Sequence, residues 1–307
     1  MTILWKDTRG STWAVRMHYR ARQLPPYDSV LHLGHQVSRL QHRDRLPPGD
    51  RATDELVREL RTDGHAQRRL VDLGAPVDAA VAAADRLCEE MSRLPDDTDA
   101  HYYDVPDEDL LREPEPYLFG LSAPLLDLAE SYMRLPVRYL GVAVKREIAN
   151  GVCVGTRHFH RDPEDENVLK IIVYLSDVDA GSGPFQCLDA SDTTRVLHGG
   201  RYLHRSGAVI EEIERLVPRE RWVTCLGPRL TASIADTARC LHRASPPTEH
   251  DRYSMTFSYL SARSYLVFAD GVERQGRFLD RWSSLLDERQ IAALAPPRRR
   301  FARRPSR

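Results

Sequence analysis

At Pro136 the apolar pattern of this chain changes period, and that change limits its architecture more than any other feature. Upstream, Val77, Ala80, Val81, Ala84, Leu87, Cys88, Met91 and Leu94 recur at spacings of three and four, which places them on one face of a helix. Leu121 to Met133 resumes that period until Pro136 stops it. Downstream, Tyr139 to Ile148 alternates, with Leu140, Val142, Val144 and Ile148 on one face and Lys145 and Glu147 on the other. Val152 to Val154, Val168 to Leu175, Arg221 to Leu226, Leu230 to Ala235 and Tyr253 to Leu260 read as further short strands between Gly, Pro and Asp residues. Such a series forms an antiparallel sandwich or barrel, covered by helices drawn mainly from the N-terminal half.

The remaining segments are read around that core. The first fifty residues hold no sustained period and are punctuated by Pro25-Pro26 and Pro47-Pro48, so mostly irregular structure is expected there. A helix is expected from about Asp54 to Arg61, then a short strand at Leu70 to Leu73 ended by Gly74. Asp96 to Pro116 is acidic and proline-containing and reads as a surface loop. A helical insert runs from Ser206 to Val217 before Pro218, and a closing helix is expected from about Arg277 to Leu294. The length of 307 residues suits one domain over about 1–297: a helical and irregular layer over 1–136, the β core over 137–270, and the closing helix over 277–294.

Charge and cysteine usage exclude several classes. The last ten residues hold six arginines and no acid, so the body is mildly acidic, with 38 basic against 45 acidic residues. With Phe301 as its one aromatic, the 298–307 tail is expected to be a solvated, disordered segment rather than a nucleic-acid surface. Only Lys6, Lys145 and Lys170 are lysines among 44 basic residues, a usage that points to a high-GC bacterial genome. No apolar run approaches the roughly 20 residues of a membrane span, and nothing resembles a signal peptide. Five scattered cysteines without a Cys-x-x-Cys pair suggest neither a disulfide framework nor structural zinc and fit a reducing cytoplasm.

His-x-Asp occurs twice. His42-Arg43-Asp44 lies in the irregular N-terminal region with no strand after it and reads as a surface loop. His160-Arg161-Asp162 instead leads into the apolar strand Val168 to Leu175. A 2-His-1-carboxylate site takes one imidazole and one carboxylate from a short segment and a second imidazole from a remote strand. His242, 82 residues beyond His160 and just past the strand and turn Leu230 to Thr237, supplies it. Three protein ligands leave about half of an octahedron open, which suits iron that must take up a chelating cosubstrate and dioxygen. Arg252 begins the last strong strand and shares a face with Ser254 and Thr256, so a guanidinium and a hydroxyl are offered together to a distal carboxylate.

His160-x-Asp162, His242 and Arg252-x-Ser254, in that order, resemble the iron(II)- and 2-oxoglutarate-dependent dioxygenases. The text Leu169 to Val178, Gly183-Pro184 and Ala235 to Arg243 is similar to their phytanoyl-CoA dioxygenase-like branch. The resemblance spans about Leu121 to Val267 and departs at Phe185 to Ser191, where the family usually carries a Pro-Gly-Ser-His-like turn. It implies a mainly β fold with packed helices, built on a double-stranded β-helix (jelly-roll, cupin-like) core. It implies Fe(II) on His160, Asp162 and His242, with 2-oxoglutarate chelating the iron and its distal carboxylate on Arg252 and Ser254. O2 is then consumed, succinate and CO2 are released, and a small molecule is hydroxylated, desaturated or cyclised; the Arg-rich, Lys-poor usage adds bacterial specialised metabolism as the expected setting. Asp162 separates the chain from related halogenases, which carry Gly or Ala there.

Several residues keep two readings. His158 lacks a carboxylate at its own +2 position and is expected to pack beside the site rather than bind metal. Lys170 shares a face with Ile172 and Tyr174 and either steadies the cosubstrate inside the barrel or snorkels to the surface. Lys145 and Glu147 line the site or face water, with water favoured. Arg161 is expected to point away from the metal, with contact to an anionic substrate at the mouth as its second reading, and Trp222 is expected to be core. Two other activities remain open: oxidation of a CoA- or carrier-linked acyl group, and a non-catalytic cupin-like protein that binds a metal or ligand. No nucleic-acid or membrane partner is expected, and the sequence leaves the oligomeric state undefined.

Overall fold

The computed structural model describes residues 25–94, 101–199, 210–265, 267 and 269–294. In chain order the strands are β1 (His65–Arg69), β2 (Tyr102–Asp104), β3 (Val137–Glu147), β4 (Leu169–Tyr174), β5 (Phe185–Cys187), β6 (Val223–Cys225), β7 (Thr231–Asp236), β8 (His242–Ala244) and β9 (Arg252–Ser261). They form a six-stranded antiparallel sheet of order β1-β7-β4-β9-β3-β2 and a smaller sheet of order β6-β5-β8. An isolated bridge between His160 and His242 adds a fourth row beside β8. Four central strands of one sheet and four rows of the other, with the chain crossing between the sheets at each connection except that from β5 to β6, make a double-stranded β-helix. The resemblance named this core.

Register assigns the two faces of the large sheet. Tyr174 lies opposite Ser254, Ile172 opposite Thr256 and Lys170 opposite Ser258, while Lys145 and Glu147 lie opposite Ser254 and Arg252. Residues directly opposed share a face, so these side chains look toward the small sheet. The alternate residues Val142, Val144, Ile171, Val173, Ile234, Met255 and Phe257 are all 0% exposed and pack in one cluster with the helices. At about 1.5–3 kcal/mol for each large apolar side chain buried, this second face is what anchors the helical layer. It also differs from the other face in being uniformly apolar, as a sheet covered by helices requires.

That layer contains α1 (Pro25–His42), α2 (Arg51–Asp63), α3 (Asp78–Ser92), α4 (Asp107–Arg112), α5 (Glu115–Gly120) and α6 (Ala123–Met133), with α9 (Ala269–Trp282) and α10 (Glu288–Leu294) returning from the C-terminal side. Between β5 and β6 lie α7 (Ala190–Gly199) and α8 (Ile210–Leu216). Asp50 caps α2 by accepting from the Thr53 amide at 2.8 Å, and α3 buries Ala80, Ala84, Leu87 and Met91 as its spacing required. Helical residues outnumber those in strands, so "mainly β" describes the core rather than the chain. No helix among the described residues is long and apolar enough to cross a membrane.

Several segments depart from the sequence reading. Residues 25–42 are helical rather than irregular, and the helix docks through its polar face. His35, Ser38 and His42 are buried, whereas Val30, Leu33, Val37 and Leu40 are exposed at 45–67%. The His42 half of the first His-x-Asp is therefore not a surface loop, because its Nε2 meets Glu130 Oε1 at 2.6 Å. Leu70 to Leu73 is a 3₁₀ turn, and the strand is the preceding His65–Arg69. The acidic stretch after residue 100 forms β2, α4 and α5, since Leu110, Leu111, Tyr117 and Phe119 are buried.

Val152 to Val154 forms no strand. A register shift between Tyr139 and Gly141 turns Leu140 out of the face that holds Val142 and Val144, and it packs instead with Val168, Ala238 and Leu260. The closing helix is broken by a 3₁₀ turn at Ser283–Leu285. Trp222 is buried, as expected, just before β6. Residues 95–100, the start of the helical insert at 206–209 and the arginine-rich tail lie outside the described residues.

Candidate metal centre and anion anchor

The site lies between the two sheets. His160 and His242 pair across an antiparallel bridge, each backbone N–H donating to the other's carbonyl at 3.0 Å. The Asp162 amide donates to Thr237 O at 2.9 Å, so the segment carrying His160 and Asp162 is tied to the end of β7 and the start of β8. This explains how residues 82 positions apart in sequence come to adjoin. Their ring centroids are 4.2 Å apart. Asp162 Oδ1 lies 3.8 Å from His160 Nε2, and its Oδ2 lies 3.9 Å from His242 Nε2.

Backbone carbonyls set the ring orientation. His160 Nδ1 lies 2.8 Å from His158 O and His242 Nδ1 lies 3.1 Å from Cys240 O. A carbonyl only accepts, so Nδ1 carries the proton in each ring and Nε2 presents its lone pair toward Asp162. Burial holds the His160 imidazole below its ordinary range and lowers His242 to about 3, helped in the latter by the neighbouring His160. Both rings are thus neutral at neutral pH, the form that binds a metal.

Burial opposes the charge on Asp162, but the Lys170 ammonium 2.5 Å from Oδ2, together with His242 and His160, outweighs it and holds the carboxyl below the usual range. Lys170 therefore points into the sandwich rather than snorkelling to the surface, and its contact is with the carboxylate between the imidazoles. Glu164 is pushed the other way, to about 8, by burial and then by Asp162, and its Oε2 is closed off without a hydrogen-bond partner.

Arg252 occupies the same face of the large sheet, 4% exposed, and its Nε and Nη1 have no hydrogen-bond partner. Buried guanidinium donors left unsatisfied are costly, so Arg252 could receive an anion here. Ser254, two residues on, is also 4% exposed. The expectation that Glu147 faces water fails, because the buried Arg157 covers it. Glu147 is 4% exposed and accepts from Arg157 Nε and Nη2 at 3.2 and 3.1 Å. Lys145 is half-buried and pairs with Asp104 at 3.3 Å.

The expected donors His160, Asp162 and His242 thus come together, with donor atoms all within 4.8 Å of one another. Two neutral imidazoles and one carboxylate match the donor set of a facial 2-His-1-carboxylate site. His158 does not join them; its Nδ1 lies 3.6 Å from Cys153 Sγ. Arg157 and Glu164 carry no sequence signal as polar groups of this interior, and Glu147 is one for which the reading favoured water over the site. For Glu147 a signal existed, since alternation opposed it to the strongly apolar Val142–Val144 face and placed it with Lys145.

No protein-family model matches the sequence, and no curated protein matches it. Among solved structures the chain is similar to the non-haem α-ketoglutarate-dependent epimerase SnoN from nogalamycin biosynthesis, at 18% identity over 69% of this chain and 83% of that one, with a TM-score of 0.48. It is similar to EctD from S. alaskensis with 2-oxoglutarate and 5-hydroxyectoine, at 16% identity over 71% and 79% of the two chains and a TM-score of 0.49. A third is HygX from Streptomyces hygroscopicus with nickel and 2-oxoglutarate bound, at 17% identity over 70% and 88% and a TM-score of 0.47.

Proposed function

We propose that this chain, folded as one domain over about residues 1–297, is a non-haem Fe(II)- and 2-oxoglutarate-dependent oxygenase that hydroxylates, desaturates or cyclises a small molecule. One observation carries the reading. Three metal-type donors from two distant segments converge in the same sandwich interior that holds a buried guanidinium with unpartnered donors.

His160, Asp162 and His242 hold the iron, which when bound supplies activation of O2 coupled to decarboxylation of the 2-oxo acid. The carbonyls of His158 and Cys240 keep both Nε2 atoms aimed at it. Lys170 keeps Asp162 ionised, and Arg252 with Ser254 receives the distal carboxylate of 2-oxoglutarate. The apolar group Ile172, Phe185, Cys187, Cys225 and Ala235 between the sheets excludes water from the same interior. The Lys-poor, Arg-rich composition supports a high-GC bacterial source and a role in specialised metabolism.

The test is addition of Fe(II) and 2-oxoglutarate without oxygen, followed by air. A weak visible charge-transfer band and then succinate are expected. Absence of both refutes the oxygenase reading and leaves a metal- or ligand-binding protein.

A further inference from the structure

We propose that Glu147 is the positioning residue of the Arg252 anchor, and that it tunes the site to ligands bearing one distal carboxylate; the inference rests on the 2-oxoglutarate reading above. Glu147 and Arg252 are directly opposed across β3 and β9, and both are 4% exposed. Behind Glu147 stands Arg157, 1% exposed, with all three guanidinium nitrogens engaged. Its Nε and Nη2 donate to Glu147 Oε2 at 3.2 and 3.1 Å, and its Nη1 donates to Asn150 Oδ1 and Val152 O at 3.0 and 2.8 Å. Nη2 also donates to Ile148 O at 3.1 Å and to His101 O.

Oε2 is thereby fixed, and Oε1 is left facing Arg252 Nη2 at 3.8 Å. A guanidinium with an immobile carboxylate 3.8 Å from one nitrogen has fewer favourable orientations, and its Nε and Nη1 remain for a ligand. The charges agree with this. Arg157 and Glu147 offset each other at close range, so Arg252 leaves one buried positive charge, which one carboxylate neutralises.

A glutamine at 147 cannot do the same. With its carbonyl toward Arg157 it turns an N–H₂ group toward Arg252, donor against donor; flipped, it meets Arg157 the same way. Either arrangement turns the Arg252 head out of its present direction.

The test uses Fe(II)-loaded protein without oxygen and calorimetric Kd values for two ligands. 2-Oxoglutarate carries the distal carboxylate, and 2-oxobutyrate keeps the 2-oxo acid end but lacks it. Glu147→Gln is expected to weaken 2-oxoglutarate about tenfold, roughly the worth of one charge-assisted hydrogen bond, and to leave 2-oxobutyrate within about twofold. If that variant does not fold, Glu147→Asp keeps the charge beside Arg157 and withdraws it from Arg252, and the same selective loss is expected. Equal weakening of both ligands, or no change in either, overturns the inference. Wild-type protein that binds the two ligands equally overturns the Arg252 anchor itself, and the inference falls with it.

Discussion

Asp162 offers the sharpest test, because one substitution separates two consequences. Its side chain is 6% exposed, with one oxygen 3.8 Å from His160 Nε2 and the other 3.9 Å from His242 Nε2 and 2.5 Å from Lys170. Asparagine keeps the shape and removes the charge. Loss of a group that merely supports a metal ligand typically costs about 10–100-fold in affinity, so loss of the one anionic ligand should cost at least about 100-fold for Fe(II). The same change strands the Lys170 ammonium. Breaking a fully buried pair costs about 3–5 kcal/mol, but Lys170 stays 25% exposed, so about 1–2 kcal/mol of folding stability is expected to be lost. Calorimetric Fe(II) titration without oxygen reads the first effect, and urea unfolding of the metal-free protein reads the second. Asp44 is the control: it is 84% exposed and meets only Arg43 at 3.3 Å, so Asp44→Asn should shift stability by less than about 0.5 kcal/mol and leave Fe(II) affinity unchanged. Asp162→Asn binding Fe(II) within about threefold of wild type, a difference under 1 kcal/mol, would refute the metal assignment.

Arg252→Met should raise the 2-oxoglutarate concentration for half-saturation by about 10–100-fold, the worth of its charge-assisted bonds, while Fe(II) titrates as in wild type; unchanged saturation removes Arg252 as the anchor. On α1 the polar face is predicted to matter and the apolar stripe not. His35→Ala strips a partner from the buried Asp165, 3.2 Å away, and should cost about 2 kcal/mol in urea unfolding, whereas Leu33→Ser and Leu40→Ser, at positions 63% and 64% exposed, should stay within about 0.5 kcal/mol. The reverse order would mean the helix docks by its other face. Gly183 holds φ +69°, and a Cβ there would meet the Ser245 carbonyl and, at 2.5 Å, the Pro247 nitrogen. Gly183→Ala is therefore expected to cost more than about 2 kcal/mol and, by shifting the chain just beyond β8, to weaken Fe(II) binding; a wild-type melting temperature would show that the turn accommodates the methyl group.

The parts of the fold legible in the sequence are those where chemistry and period coincide. Leu169 to Tyr174 is an apolar run bounded by polar and turn residues and Arg252 to Ser261 carries a long alternation, so their existence as strands followed from residue order. His160, Asp162 and His242 were legible because a metal site needs a particular donor set, and only one of the two His-x-Asp pairs has a strand after it and a remote imidazole beyond. Three-residue strands such as Phe185–Cys187 and His242–Ala244 are too short to show any period. The same holds for the six-residue helices within residues 107–120. α1 failed for a different reason. The first fifty residues read as irregular, and the apolar residues Val30, Leu33, Val37 and Leu40 of the helix face outward while His35 and His42 take the interior, so no buried apolar stripe marks it.

Alternation tells which residues share a face, but not whether that face meets water. In β3 the Val142–Val144 face packs with the helices, while on the other face Glu147 meets Arg157, so a residue that looks solvent-directed in sequence is sealed inside. Glu147 is tolerable there only because Arg157 satisfies it, and Arg157 only because four oxygens from 101–152 satisfy its remaining donors. None of those partners is recognisable from local sequence, since each is supplied by the folded backbone or by a side chain of ordinary type. A polar network of this kind is costly wherever it is incomplete. Arg252 is where this one is incomplete, with its Nε and Nη1 buried and left without a hydrogen-bond partner.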